Sequence, residues 1–244
     1  MDIAIFGDSF ACSRKFNLQP SWIDIISDKY NKVVNYAMGG SSLYYSMNFF
    51  EKHHFHYDRI IFVVTCPGRM MLPPWPSLGI EPGHRNIPGL PHTEMLIKHA
   101  LEEYPDIENH TQLKHRLVIW QALADYFKYV QFDDFDNYIH NLMFDRITQL
   151  RPDAIVIPSF KTSHSSFKDK TSMCDIQKKE DHAWNFLGGI IAGAKDFRNC
   201  HMTSKNNEIF AGKVEEWLHG APVDINLDDF AIPTIEEKDY YIKS

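Results

Sequence analysis

An α/β fold on a parallel sheet is predicted by three features of this chain. Strand-like segments alternate with segments of helical periodicity over residues 2–65. The segments DIAIF and RIIFVVT are almost wholly apolar, as strands covered on both faces are. Glycine, serine and aspartate follow directly in FGDSF and AMGGSS, at the carboxyl edge where open parallel sheets gather ligands.

Each element has its own signal. DIAIF at 2–6 reads as the first, buried strand, and PSWIDIISDKY at 20–30 as a helix with Pro20 near its first turn. VVNYA at 33–37 is the second strand. SSLYYSMNFFEKH at 41–53 reads as a helix, because Leu43, Met47 and Phe50 recur on one face. RIIFVVT at 59–65 is the third strand.

The rhythm then breaks. Eight of the 13 prolines lie between Pro67 and Pro105, which argues against regular structure around PPWPSLGIEPGHRNIPGLP at 73–91. Two helices follow, near 110–131 (Leu113, Leu117, Ala124, Phe127) and near 134–150 (Phe135, Ile139, Leu142, Leu150), the second capped by Asp133. DAIVIPSF at 153–160 returns to the sheet, a polar loop covers 161–180, and a helix at about 203–218 carries Ile209, Phe210, Val214 and Trp217. The expected organisation is a single domain over 1–220, with an insertion at about 67–132 and an acidic tail at 221–244. That tail, six acids against two lysines, is either an arm laid across the domain or a partner-binding extension.

Composition excludes several classes. The chain has 244 residues, is 44% hydrophobic and carries a net charge of −7, and its 25 Lys and Arg form no basic run. A nucleic-acid surface or an anionic membrane patch is therefore not expected. Neither a membrane-spanning stretch nor a signal-peptide layout is present, so the reading is a cytoplasmic protein starting at Met1. Cys12, Cys66, Cys174 and Cys200 are scattered without a CxxC pair, which indicates thiols in a reducing compartment rather than a zinc or redox motif.

Ser9 closes the first strand, where its hydroxyl can be exposed and its own N–H can face a ligand. The plain alternative is a Gly-Asp-Ser turn that only caps the next element. No phosphate-cradling glycine pattern occurs, and GGSSL lacks the spacing of a GxSxG elbow. After the second strand come Asn35, Gly39 and Gly40, where a glycine N–H can approach an oxyanion closely. His201 stands just before the last helix, which Thr203 or Ser204 can cap.

With these residues in place, the chain resembles the SGNH (GDSL-type) hydrolases, serine esterases and lipases on a flavodoxin-like sheet. The resemblance covers residues 1–65 and 150–218: GDSF is similar to the family's first motif, Asn35 through Ser42 to the second, and HMTSKNNEIFAGKVEEWL to the last. It implies a flavodoxin-like three-layer sandwich with a central parallel sheet and a large insertion after the third strand. It also implies Ser9 as nucleophile and first oxyanion donor, Gly40 as second donor and His201 as general base. No cofactor or metal is implied.

Two departures stand out. The family's Gly-x-Asn-Asp after the third strand is replaced by VVTCPGRMM, so Thr65 or Arg69 is the candidate third oxyanion donor. Three residues before His201 the family has an aspartate, whereas this chain has Arg198; Asp196 can complete a triad if the loop bulges, and otherwise Ser9 and His201 act as a dyad. The expected activity is removal of an acyl or acetyl group from a small-molecule or carbohydrate ester through an acyl-enzyme. The rivals are an acyltransferase using the same site and a catalytically silent binding or scaffold domain. His53, His54 and His56 lack metal-ligand spacing and read as a solvated helix end. The proline-rich insertion, with Trp75 and His84, leaves the third strand on the Ser9 side and reads as a lid.

Overall fold

Local chemistry explains where the elements begin. The computed structural model describes residues 1–12, 20–39, 41–67, 70–71, 86–87, 94, 97–98, 100–102, 111–129, 133–186 and 202–231. Strand β1 (Asp2–Phe6) leads to helix α1 (Trp22–Lys29), which opens on a capping box: the Ser21 N–H donates to Asp24 Oδ2 (2.8 Å) and the Asp24 N–H to Ser21 Oγ (3.4 Å). Pro20 therefore precedes the cap instead of sitting in the first turn. Strand β2 (Lys32–Asn35) leads to α2 (Leu43–His53), capped by Ser42. Strand β3 (Arg59–Val64) follows.

Two short strands, β4 (Met70–Met71) and β5 (Asn86–Ile87), pair antiparallel as a separate ribbon. This corrects the expectation that 73–91 holds no regular structure. Neither Asn86 nor Ile87 is a proline, and two residues suffice for one rung. Helices α3 (Thr111–Tyr129) and α4 (Asp133–Leu150) come next, then β6 (Ile155–Pro158), α5 (Met173–Phe186) and α6 (Ser204–Leu218), which Thr203 caps.

The main sheet is all-parallel in the order β2-β1-β3-β6, and helices cover both faces. Alternate strand residues supply the two cores. Ile3, Ile5, Ile61 and Val63 pack with Trp22 and Ile26 of α1, Ile176 of α5, and Phe210 and Val214 of α6. Ala4, Phe6, Phe62 and Val64 pack with Met47 and Phe50 of α2 and with Phe144 and Ile147 of α4. The fold is a flavodoxin-like three-layer α/β sandwich.

Other expectations need correction. The polar loop expected over 161–180 turns helical from Met173 onward, because Ser172 and Asp175 form another cap: the Ser172 N–H and hydroxyl both donate to Asp175 Oδ2, at 2.9 and 2.8 Å. Met173 and Ile176 then enter the core. On α4 the buried face is His140, Phe144 and Ile147, while Leu142 is 47% exposed. The ring of Phe144 packs against His164 and Phe167, and that contact sets the helix's rotation. The tail's first part is an arm on the domain: Ile225 and Phe230 are buried, and Lys179 donates to the carbonyl of Leu227 (2.6 Å).

Candidate active site

The carboxyl ends of the strands converge. Ile5 pairs with Asn35, Phe6 with Phe62, and Val64 with Pro158, so Asn35, Thr65, Ser159 and the Gly7–Ser9 segment all lie at one edge of the sheet. Gly7 makes the close approach possible. Its φ is +152°, and a Cβ there would lie 2.7 Å from the Val63 carbonyl oxygen and 2.8 Å from Val63 Cβ, so only glycine fits. The Gly7 carbonyl accepts from the Met38 N–H (3.1 Å) and from the hydroxyls of Ser41 (2.9 Å) and Ser46 (3.2 Å), which ties the turn to the loop before α2.

Ser9 opens a 3-10 turn, Ser9–Ala11, whose cap is the fully buried Asp8. The Phe10 N–H donates to Asp8 Oδ1 (3.0 Å), and the Ser159 hydroxyl donates to the same oxygen (3.2 Å). Trp22 Nε1–H donates to the Phe10 carbonyl and Asn35 Nδ2–H to the Ala11 carbonyl, both at 2.8 Å. Asn35 is itself held, since its Oδ1 accepts from the Ala37 N–H (2.8 Å). The turn is thus fastened from α1, β2 and the end of β6. Phe10 and Ala11 are buried, yet Ser9 is half-exposed, and among the described residues nothing hydrogen-bonds its hydroxyl. A braced turn thus carries a partly exposed serine whose hydroxyl no described residue engages.

Thr65 stands beyond the last ladder bond of β3, where the Ser159 N–H donates to the Val64 carbonyl (2.8 Å). It is only 3% exposed, and among the described residues its hydroxyl has no hydrogen-bond partner. Its carbonyl accepts from Nε2–H of His140, at 2.6 Å, on α4. The acceptor is a carbonyl, so Nε2 carries a proton, and in the neutral ring Nδ1 is then bare; among the described residues Nδ1 has no partner. Burial pushes the His140 pKa below its ordinary value against the opposing pull of the Thr65 carbonyl, and His164 adds to the depression. His164, across the Phe144 ring, bonds Asp145 through Nε2 (3.1 Å).

Of the sequence-predicted residues, Ser9 and Thr65 are brought to adjoining strand ends. Gly40, Arg69, Asp196 and His201 lie outside the described residues, as do Trp75 and His84. Met202, which follows His201, is buried in the same core cluster as Phe10 and Ala11. Asn207 anchors that segment: its Nδ2–H donates to the Met202 carbonyl (2.9 Å) and its Oδ1 accepts from the Trp22 N–H (3.0 Å). Of the histidines near α2, His56 is exposed as expected of a solvated helix end, while His53 and His54 are partly buried. His53 stacks on Tyr36 (4.8 Å) and His54 on Phe50 (4.9 Å), and among the described residues no group of three His, Cys, Asp or Glu could hold a metal ion. The sequence reading missed His140, Ser159 and Trp22, whose parts in the site depend on long-range contacts. Comparison with family models, curated proteins and solved structures returned no match.

Proposed function

We propose that the protein is a serine ester hydrolase of the SGNH type, acting through an acyl-enzyme. The observation that carries this reading is Ser9: a partly buried serine whose hydroxyl has no partner among the described residues, on a turn fastened by Trp22, Asn35 and Ser159 at the carboxyl edge of a parallel sheet. Ser9 Oγ would attack the ester carbonyl while His201 takes its proton and returns it to the leaving alcohol. The N–H groups of Ser9 and Gly40 would hold the oxyanion, with the Thr65 hydroxyl or Arg69 as third donor. Asp196 would orient His201 if the reaction uses a triad. Water would then release the acyl group, and exclusion of water by the insertion would turn the same chemistry to acyl transfer.

The substrate class is a small-molecule or carbohydrate ester. Cys12, Cys66 and Cys174 are thiols rather than disulfides, in keeping with a cytoplasmic setting. Among the described residues no helix is long and apolar enough to cross a membrane. The test is hydrolysis of p-nitrophenyl acetate by wild type and Ser9→Ala. Loss of turnover in the variant, at unchanged melting temperature, supports the reading; equal rates refute it and favour a silent binding domain.

A further inference from the structure

We propose that His140 is a positioning residue of the Ser9 site, holding the end of β3 so that the Thr65 hydroxyl is set in place as an oxyanion donor. This rests on the ester-hydrolase reading above. Three observations converge on it.

The first is the placement of Thr65. Phe6 pairs with Phe62 and Gly7 still runs against Val63, so Thr65 ends β3 at the edge where the Gly7–Ser9 segment turns away from β1. The second is the state of the two side chains. Thr65 and His140 are 3% and 4% exposed, and each has one polar side-chain atom, Oγ1 and Nδ1, without a partner among the described residues. Buried polar atoms are normally paired, and each exception calls for a reason, a catalytic role among them. An apolar residue at 140 would fill the space beside Phe144 without that cost.

The third is what the His140 bond holds. The Thr65 carbonyl lies past the last rung between β3 and β6, where the sheet no longer fixes the backbone. The Nε2–H of His140 takes over that role at 2.6 Å. His140 is in turn fixed by its place on α4, one turn before Phe144, which is fully buried against α2 and the sheet. The carbonyl is therefore satisfied by the helix, and the Thr65 hydroxyl proton remains unspent. A donor held by a rigid layer before the reaction is the arrangement that stabilises a developing oxyanion.

The experiment measures fluorophosphonate labelling rates at Ser9, with kcat and KM for p-nitrophenyl acetate, in wild type and variants at His140 and Thr65. His140→Ala should slow labelling and lower kcat by about 10- to 100-fold with little change in KM. His140→Gln, whose amide reaches as far as Nε2, should recover most of the loss. His140→Asn places its amide near Nδ1 and cannot reach the Thr65 carbonyl, so it should not recover it. Thr65→Val should show a similar loss, and combining it with His140→Asn should cost little more. Should His140→Ala not fold, the Asn and Gln pair decides the matter. A labelled wild type with His140→Asn at the wild-type rate overturns this proposal alone. An unlabelled wild type overturns the ester-hydrolase reading and this proposal with it.

Discussion

Replacing Gly7 by alanine perturbs the junction on which both fold and site depend. The new Cβ would lie 2.7 Å from the Val63 carbonyl oxygen, 2.8 Å from Val63 Cβ and 3.1 Å from Ala11 Cβ. Two of these neighbours belong to β3 in the middle of the sheet, where backbone cannot retreat without breaking its ladder to β1 or β6. The residue would also keep a φ of +152°. Backbone strain of this kind costs about 1–3 kcal/mol, and overpacking a filled core adds roughly 1–3 kcal/mol. The expected destabilisation is therefore about 2–6 kcal/mol, a large part of the ~5–15 kcal/mol that holds a domain together. Urea unfolding followed by tryptophan fluorescence measures it, because Trp22 bonds the Phe10 carbonyl of the same turn. A change under about 0.5 kcal/mol, the size of an ordinary surface substitution, would refute the packing argument at β1.

Other perturbations test separate parts of the account. Asn35→Asp keeps the acceptor for the Ala37 N–H but removes the donor to Ala11. It should lower Ser9 labelling by about 10-fold or more, against a stability loss near 1 kcal/mol; unchanged labelling would show that the brace is not needed. Phe144→Ala should destabilise by about 3–5 kcal/mol in the same unfolding assay, because that ring is fully buried between His140, His164 and Phe167. Burial lowers the His140 pKa below 6.5, so the unfolded chain binds the proton more readily than the folded one. Stability from this group is complete above 6.5 and falls as pH drops below it, and His140→Gln should flatten that part of the urea-midpoint profile between pH 5 and 7. Burial also lowers His54, with Arg151 and Arg146 helping, so some acid slope should survive the substitution.

The sheet and the position of Ser9 were legible because their signals are local. A continuous apolar run marks a covered strand, and Gly-Asp-Ser directly after it marks a turn at the strand's end. Helix α5 was missed although Ser172 and Asp175 carry a capping-box spacing, because that signal lies in a polar stretch; Met173 and Ile176 are buried in the core beside the partly buried Cys174. On α4 the expected stripe is Phe135, Ile139, Leu142 and Leu150, chosen over the equally apolar Phe144 and Ile147; Leu150 does pack against the core those two enter, while Leu142 is exposed. The face that is buried includes a histidine, because its Nε2–H satisfies a carbonyl that the sheet leaves over. Nothing local to 140 announces that partner, 75 residues away in the chain. The same holds for Ser159, whose hydroxyl reaches Asp8 from 151 residues along the sequence. Proline content misled at Asn86–Ile87, since it constrains the residues around a strand without forbidding one rung.

The central claim is that Ser9 is an activated nucleophile, and covalent labelling tests it most directly. The whole chain is treated with an alkyl fluorophosphonate, its intact mass is recorded, and the modified peptide is sequenced. One adduct per chain is expected, on Ser9, absent from Ser9→Ala and suppressed by prior denaturation. No adduct, or one that persists in Ser9→Ala, would contradict it.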